Sequence, residues 1–263
     1  MERLQKYPKL QFGQHLYTEG RIILLDVETK SSFEKSLMSL DTIDKKELIV
    51  LDAQTLSAKL SLLLDDHKIY QQPNDVLTVF PGNGSLKPKE FMRFKKNHQT
   101  AYAFAKRYWE PGENPQVYVS EIMTDCFIDL KTTNILVIDD VISSGMTMQK
   151  LFEHNAWKFP RASWTAATWI SQMPRQKAES GINGFSQMIT AYITEGPGGK
   201  FVPINSLSTL LECPKITQNY ALRHFAKPEK FLELLESVLI TTDRVQMETN
   251  FAGLTETVKK LLS

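Results

Sequence analysis

Apolar positions along the chain follow two rhythms. Compact apolar runs occur at Arg21–Leu25, Val76–Phe80, Ile135–Ile138 and Trp164–Ile170, and each predicts a strand. Val117–Ser120 predicts a further strand after the break at 111–115. Glu47–Leu51 is apolar but too short for periodicity to separate strand from helix. Helical spacing appears in Leu56, Leu60, Leu63 and Leu64 behind Asp52, a residue suited to an N-cap. A shorter helix is expected around Phe33, Leu37 and Leu40. Pro88 suits a first helical turn, and Phe91, Phe94, Ala101, Tyr102, Ala105, Tyr108 and Trp109 then predict a helical stripe. Met188–Thr194 and 200–204 read as two strands of a long-looped hairpin. A C-terminal helix starts at Pro228 with Phe231, Leu234, Leu235 and Val238, and helical spacing returns at Leu254, Val258 and Leu261.

The densest information lies in 134–148, Asn-Ile-Leu-Val-Ile-Asp-Asp-Val-Ile-Ser-Ser-Gly-Met-Thr-Met. Its unbroken β-branched run has the character of a central parallel strand, buried on both faces. Ligands of open α/β sheets bind beyond the carboxyl ends of such strands, which is where Asp139 and Asp140 fall. Ser143, Ser144, Gly145, Met146 and Thr147 then open a helix. Backbone N–H groups at a helix start, with a glycine permitting close approach, form a phosphate cup. Adjacent carboxylates repel a phosphate but accept hydrogen bonds from neighbouring sugar hydroxyls. Together the two halves describe a site for a ribose 5-phosphate.

Other uses of a strand ending in paired acids lack their partners. A nucleotide-triphosphate strand of this kind needs a Gly-x4-Gly-Lys-Ser/Thr loop, which is absent from the chain. A phosphoacceptor domain needs a further Asp on a nearby strand, yet none follows Asp140 before Asp243.

A second Gly-rich loop, Pro81-Gly82-Asn83-Gly84-Ser85-Leu86-Lys87, follows the Val76–Phe80 strand and precedes a predicted helix. That order also suits an anion. Composition adds limits. The net charge of +1 over 263 residues lacks the basic footprint of a nucleic-acid binder. Cys126 and Cys213 read as reduced thiols. No apolar run has membrane-spanning length and the first residues carry no signal-peptide pattern, so a cytoplasmic protein is expected. His15 reads as structural or solvated.

The 134–148 stretch resembles the phosphoribosyl-diphosphate (PRPP) motif of the type I phosphoribosyltransferases: an apolar strand, two acids, two apolar residues and a Ser/Thr-Gly-x-Thr loop. The resemblance implies an α/β fold with a parallel-sheet core flanked by helices, carrying a hood and extra N- and C-terminal elements. The core would span 73–175 with adjoining strands, residues 1–72 would be an elaboration, and 176–263 the hood and a helical region. It implies transfer of ribose 5-phosphate from PRPP to a nitrogenous acceptor with release of diphosphate. Asp139 and Asp140 would contact the ribose hydroxyls and act in catalysis, Ser143–Thr147 would hold the 5-phosphate, and Gly82, Asn83, Gly84 and Ser85 the diphosphate. Mg2+ would be shared with PRPP oxygens and keep several waters, so no dedicated protein ligand cluster is expected. The partners implied are PRPP and a small-molecule acceptor, with no nucleic acid or membrane, and a homodimer stays open.

The sequence departs from the family pattern in two places. The segment 121–133, near the family's mobile catalytic loop, has one base, Lys131, against Glu121, Asp125 and Asp129. A PRPP- or nucleotide-sensing protein on the same fold is therefore the alternative. Ser143 stands where 6-oxopurine-salvage members have an Asp, which argues against hypoxanthine or guanine and leaves the branch unidentified.

Overall fold

A computed structural model describes residues 10–27, 31–69, 76–82, 84–94, 99–108, 116–123, 134–173, 181–195, 204–212 and 214–240. The chain divides into two compact units, each discontinuous in sequence. One comprises Met1–Tyr17 and Gln54–Val202, the other Thr18–Ala53 and Pro203–Ser263. This grouping differs from the three consecutive segments expected from sequence.

The first unit is built on six strands: β1 (Leu10–Tyr17), β4 (Val76–Pro81), β5 (Gln99–Ala103), β8 (Asn134–Ile142), β9 (Ser163–Ser171) and β10 (Gln187–Glu195). Their order is β1-β10-β9-β8-β4-β5, and every pairing is parallel. Ile135–Ile138 and Trp164–Ser171 are buried throughout, as expected of central parallel strands. Helix α4 (Met146–Asn155) packs Met148 and Leu151 against Ile135, Val137, Trp164 and Ala166. Trp169 lies on the other face of β9, where its indole N–H donates to Ser57 of α2 (Ala53–Asp66) at 2.9 Å. Helices thus cover both faces of the sheet, and the expected α/β architecture is present.

Two expectations are corrected. The stripe from Phe91 to Trp109 is not one helix. A short α3 (Leu86–Phe91) ends at Met92, whose backbone is extended, and β5 and β6 (Ala105–Tyr108) follow. Along β5, Ala101 and Ala103 are buried while Tyr102 is half-buried, a period of two that overrides the apparent helical spacing. β6 pairs antiparallel with β7 (Gln116–Val119), so the predicted strand near Val117 is an arm of a two-stranded ribbon. The Met188–Thr194 strand is not half of a hairpin either. Both edges of β10 are occupied by parallel neighbours, β1 and β9. Residues 200–203 lie outside the described residues.

β1, with no counterpart in the predicted elements, lies at the edge of this sheet. Gly13 passes so close to β10 that a Cβ there would fall 2.3 Å from the Thr190 carbonyl oxygen, next to an irregularity between Phe12 and Gln14. A side chain at that position has no room.

The second unit holds a three-stranded parallel sheet in the order β11-β2-β3, from β2 (Arg21–Leu25), β3 (Glu47–Leu51) and β11 (Asn205–Ser206). The ambiguous Glu47–Leu51 run is therefore a strand. Helices α1 (Ser32–Met38), α5 (Leu207–Glu212), α6 (Pro214–His224) and α7 (Pro228–Ile240) pack with it. Its core joins Ile22, Leu24 and Leu37 to Tyr220, Phe225, Phe231 and Leu235, and the rings of Phe225 and Phe231 stack at 4.3 Å. No helix among the described residues is long and apolar enough to cross a membrane.

Candidate functional site

The chain leaves β4 for β5 on one side of the sheet and leaves β8 for β9 and β10 on the other. The boundary between β4 and β8 is therefore a topological switch point, where the loops beyond adjacent carboxyl ends diverge and leave a crevice. Both Gly-rich loops singled out in the sequence start here, one after β4 and one after β8.

Asp139 and Asp140 stand near the end of β8, each half-buried. Local bonds fix them: the Asp140 N–H donates to Asp139 Oδ1 at 3.0 Å, and the Val141 N–H donates to Asp140 Oδ1 at 2.7 Å. Behind them the buried Thr168 hydroxyl donates to the Asp140 carbonyl at 2.8 Å. Alternation along the strand sends the two carboxylates to opposite faces. Asp139 shares its parity with Val137, and Asp140 with Ile138.

The chain then turns through Ser143 and Ser144 into Gly145, which occupies the left-handed region at φ 71° and is the N-cap of α4. Glycine is the inexpensive residue for that conformation. A Cβ there would also lie 3.0 Å from Ile182 Cγ1. Gly145 has no side chain with which to cap the helix. The Met146 N–H points to Ser144 Oγ at 3.3 Å, and the Gln149 N–H closes the first turn on the Gly145 carbonyl at 2.9 Å. The positive end of the α4 dipole lies at this loop. Ser143, Ser144, Met146 and Thr147 are all half-buried around it.

The loop after β4 comes close to the acids. Gly82 takes φ 67°, and its N–H donates to the Ala103 carbonyl of β5 at 2.9 Å. Ser85 is buried and its Oγ donates to the Gly82 carbonyl at 2.8 Å, closing the turn from within. A Cβ on Gly84 would meet Asp140 Oδ1 at 2.8 Å and Oδ2 at 3.1 Å. The structure therefore brings Gly82, Gly84 and Ser85 to the same crevice as Asp140; Asn83 lies outside the described residues.

Sequence reasoning missed three neighbours of the site. Ile182 backs Gly145, and Thr168 holds the Asp140 carbonyl. The Lys89 ammonium lies 4.2 Å from the centroid of the Tyr102 ring, one helical turn beyond Ser85. The Lys-Pro-Lys string after the Gly-rich loop was the available signal for Lys89. Among the described residues no three His, Cys, Asp or Glu side chains gather as a metal cage.

Fold and crevice together define an α/β protein in which a glycine-capped helix start and two adjacent carboxylates lie at one switch point. Solved structures similar to the chain include three phosphoribosyltransferases. The Helicobacter pylori xanthine-guanine-hypoxanthine enzyme is 15% identical over 53% of this chain and 86% of its own, with TM-score 0.36. The Pyrococcus horikoshii purine enzyme is 16% identical over 70% and 98%, with TM-score 0.35. The Aeropyrum pernix orotate enzyme is 16% identical over 54% and 73%, with TM-score 0.33. No known family profile matches the chain, and no curated protein sequence does. At these scores function is carried by the site, not by the superpositions.

Proposed function

We propose that the protein is a phosphoribosyltransferase that moves ribose 5-phosphate from PRPP to a nitrogenous acceptor and releases diphosphate. The observation that carries this is that both glycine loops leave adjacent strands at one switch point, with Gly84 packed against Asp140. A 5-phosphate would take the N-terminus of α4, receiving N–H groups and hydroxyls from Ser143–Thr147. The ribose diol would then straddle the end of β8, one hydroxyl donating to Asp139 and the other to Asp140 from their two sides of the strand. The diphosphate would lie along Gly82–Ser85, with Lys89 adding positive charge.

Bond cleavage at the anomeric carbon passes through a ribosyl oxocarbenium ion, as in glycoside hydrolysis. The acids would stabilise positive charge growing on the sugar, while fixed N–H groups would stabilise the departing diphosphate. Alignment of acceptor nitrogen, anomeric carbon and leaving oxygen supplies much of the remaining acceleration. The carboxylates suit magnesium only as one side of a shell completed by substrate oxygens and water; when bound, the ion neutralises diphosphate charge. Ser143, in place of an Asp, gives no carboxylate to assist a 6-oxopurine ring.

One feature supports a second reading, a non-catalytic PRPP or nucleotide sensor. Glu121 at the start of the base-poor segment 121–133 is already engaged by Lys158 Nζ at 2.6 Å. The experiment is diphosphate release from PRPP and Mg2+ with a panel of bases and amines, with Asp139→Asn and Asp140→Asn as controls. Release that both substitutions abolish supports the enzyme. PRPP-dependent thermal stabilisation without release for any acceptor supports the sensor. Failure of both PRPP and ribose 5-phosphate to stabilise the fold overturns both readings.

A further inference from the structure

Asn155, the last residue of α4, is completely buried. Its Oδ1 accepts from the Ile122 N–H at 2.8 Å, and its Nδ2 donates to the Ser120 carbonyl at 3.2 Å and the Leu151 carbonyl at 3.1 Å. The amide therefore grips two backbone groups of 120–122 from the far end of the helix that starts at Gly145. The same segment is bound to β5 on its other side. Ser120 N–H donates to the Phe104 carbonyl at 2.8 Å, Phe104 N–H donates to Ser120 Oγ at 2.9 Å, and Tyr102 and Met123 exchange backbone bonds at 2.8 and 2.7 Å. β5 in turn holds Gly82 through the Ala103 carbonyl. Residues 120–123 are thus tied to both glycine loops of the crevice, and they continue directly from β7, one strand of the β6–β7 ribbon.

We infer that Asn155 is a positioning residue that couples occupancy of the α4 N-terminus to the β6–β7 ribbon. This rests on the phosphate role given to Ser143–Thr147 above. A ten-residue helix is a rigid rod of about 15 Å, and an anion seated on its N-terminus fixes it along its axis. The buried amide converts that fixation into order at 120–122, because letting go would leave the buried Ile122 N–H unpaired away from water. Lys158, paired with the exposed Glu121, adds little to the grip.

The test is amide hydrogen exchange on the full chain with and without ribose 5-phosphate, in the wild type and in Asn155→Leu and Asn155→Asp. In the wild type, ribose 5-phosphate is expected to slow exchange at 146–149 and, by about fivefold or more, at 117–123. Asn155→Leu keeps the first effect and loses the second. Asn155→Asp, which retains the acceptor for Ile122 but has no donor for the Ser120 and Leu151 carbonyls, gives an intermediate result and serves if the leucine variant does not fold. Protection at 146–149 without protection at 117–123 in the wild type overturns the coupling and leaves the proposed function standing. Protection at 117–123 that persists in Asn155→Leu overturns it as well. No protection at either place overturns the phosphate role and the coupling together.

Discussion

Each unit has an acid at the carboxyl end of a parallel strand and a helix that begins nearby, but the two ends are finished differently. In the second unit Asp26 follows β2 and its carboxylate caps α5: Oδ1 accepts from the Leu207 N–H at 2.6 Å, and Oδ2 accepts from the Ser208 hydroxyl at 2.7 Å. In the first unit the N-cap of α4 is Gly145, which has no side chain, the Ser144 hydroxyl accepts from the Met146 N–H of the first turn, and the acids sit five and six residues earlier on the strand. A carboxylate occupying a helix start excludes an external anion from it, whereas a glycine N-cap leaves the start open. The same residue type at the same topological place thus caps a helix in one unit and, in the function proposed above, contacts the ligand in the other.

The largest expected effect tests the structural half of that contrast. Asp26→Ala removes charge-assisted bonds to a helix start and should cost about 2–3 kcal/mol, read by urea denaturation. Asp139→Asn should leave the midpoint nearly unchanged and instead lose PRPP-dependent stabilisation. Gly145→Ala should cost about 1–2 kcal/mol from its left-handed backbone, with further loss from the approach to Ile182, and should weaken ribose 5-phosphate binding in calorimetry. Gly84→Ala pushes on the Asp140 carboxylate, so PRPP affinity should fall about tenfold, roughly 1.4 kcal/mol, while the midpoint moves little.

A smaller effect lies in the second unit. Burial, reinforced by Lys46 and Arg223, lowers His224 to about 4 from 6.5, and its Nδ1 is buried without a partner among the described residues. The unfolded chain therefore binds the proton more readily, so stability is full above 6.5 and declines as pH falls towards 4. His224→Leu should flatten that decline, measured as melting midpoint between pH 7 and pH 4. Least of all, Lys158→Ala should leave the melting midpoint unchanged at neutral pH. It should only return the Glu121 carboxyl, held low first by its hydrogen bond from Lys158, towards the usual range in an NMR titration.

The elements of the candidate site were readable because they are local in sequence. Thirteen consecutive positions from Ile135 to Thr147 hold the strand, the acids and the helix start, and strand burial follows directly from the unbroken apolar run. What the sequence hid is long-range or two-way. Tyr102, Ala105 and Tyr108 satisfy a helical spacing, yet pairing with β4 and β7 decides for strands, since tertiary context outweighs weak periodicity. β1 is edge-placed and polar, with Gln11, Gln14 and His15, so it lacks the signature of an interior strand. The Asp26 cap joins residues 181 apart in sequence, and no local pattern announces it.

That cap has a consequence for biosynthesis. The strand Ile22–Leu25 leaves the ribosome long before Leu207 exists, and at about 5–20 residues per second the interval is roughly ten to forty seconds. Throughout it, an apolar segment lacks α5 and the aromatic side chains of α6 and α7 that bury it in the finished protein. The nascent chain therefore carries an uncovered apolar strand over that interval, and slowing translation between these two segments would lengthen its exposure to aggregation.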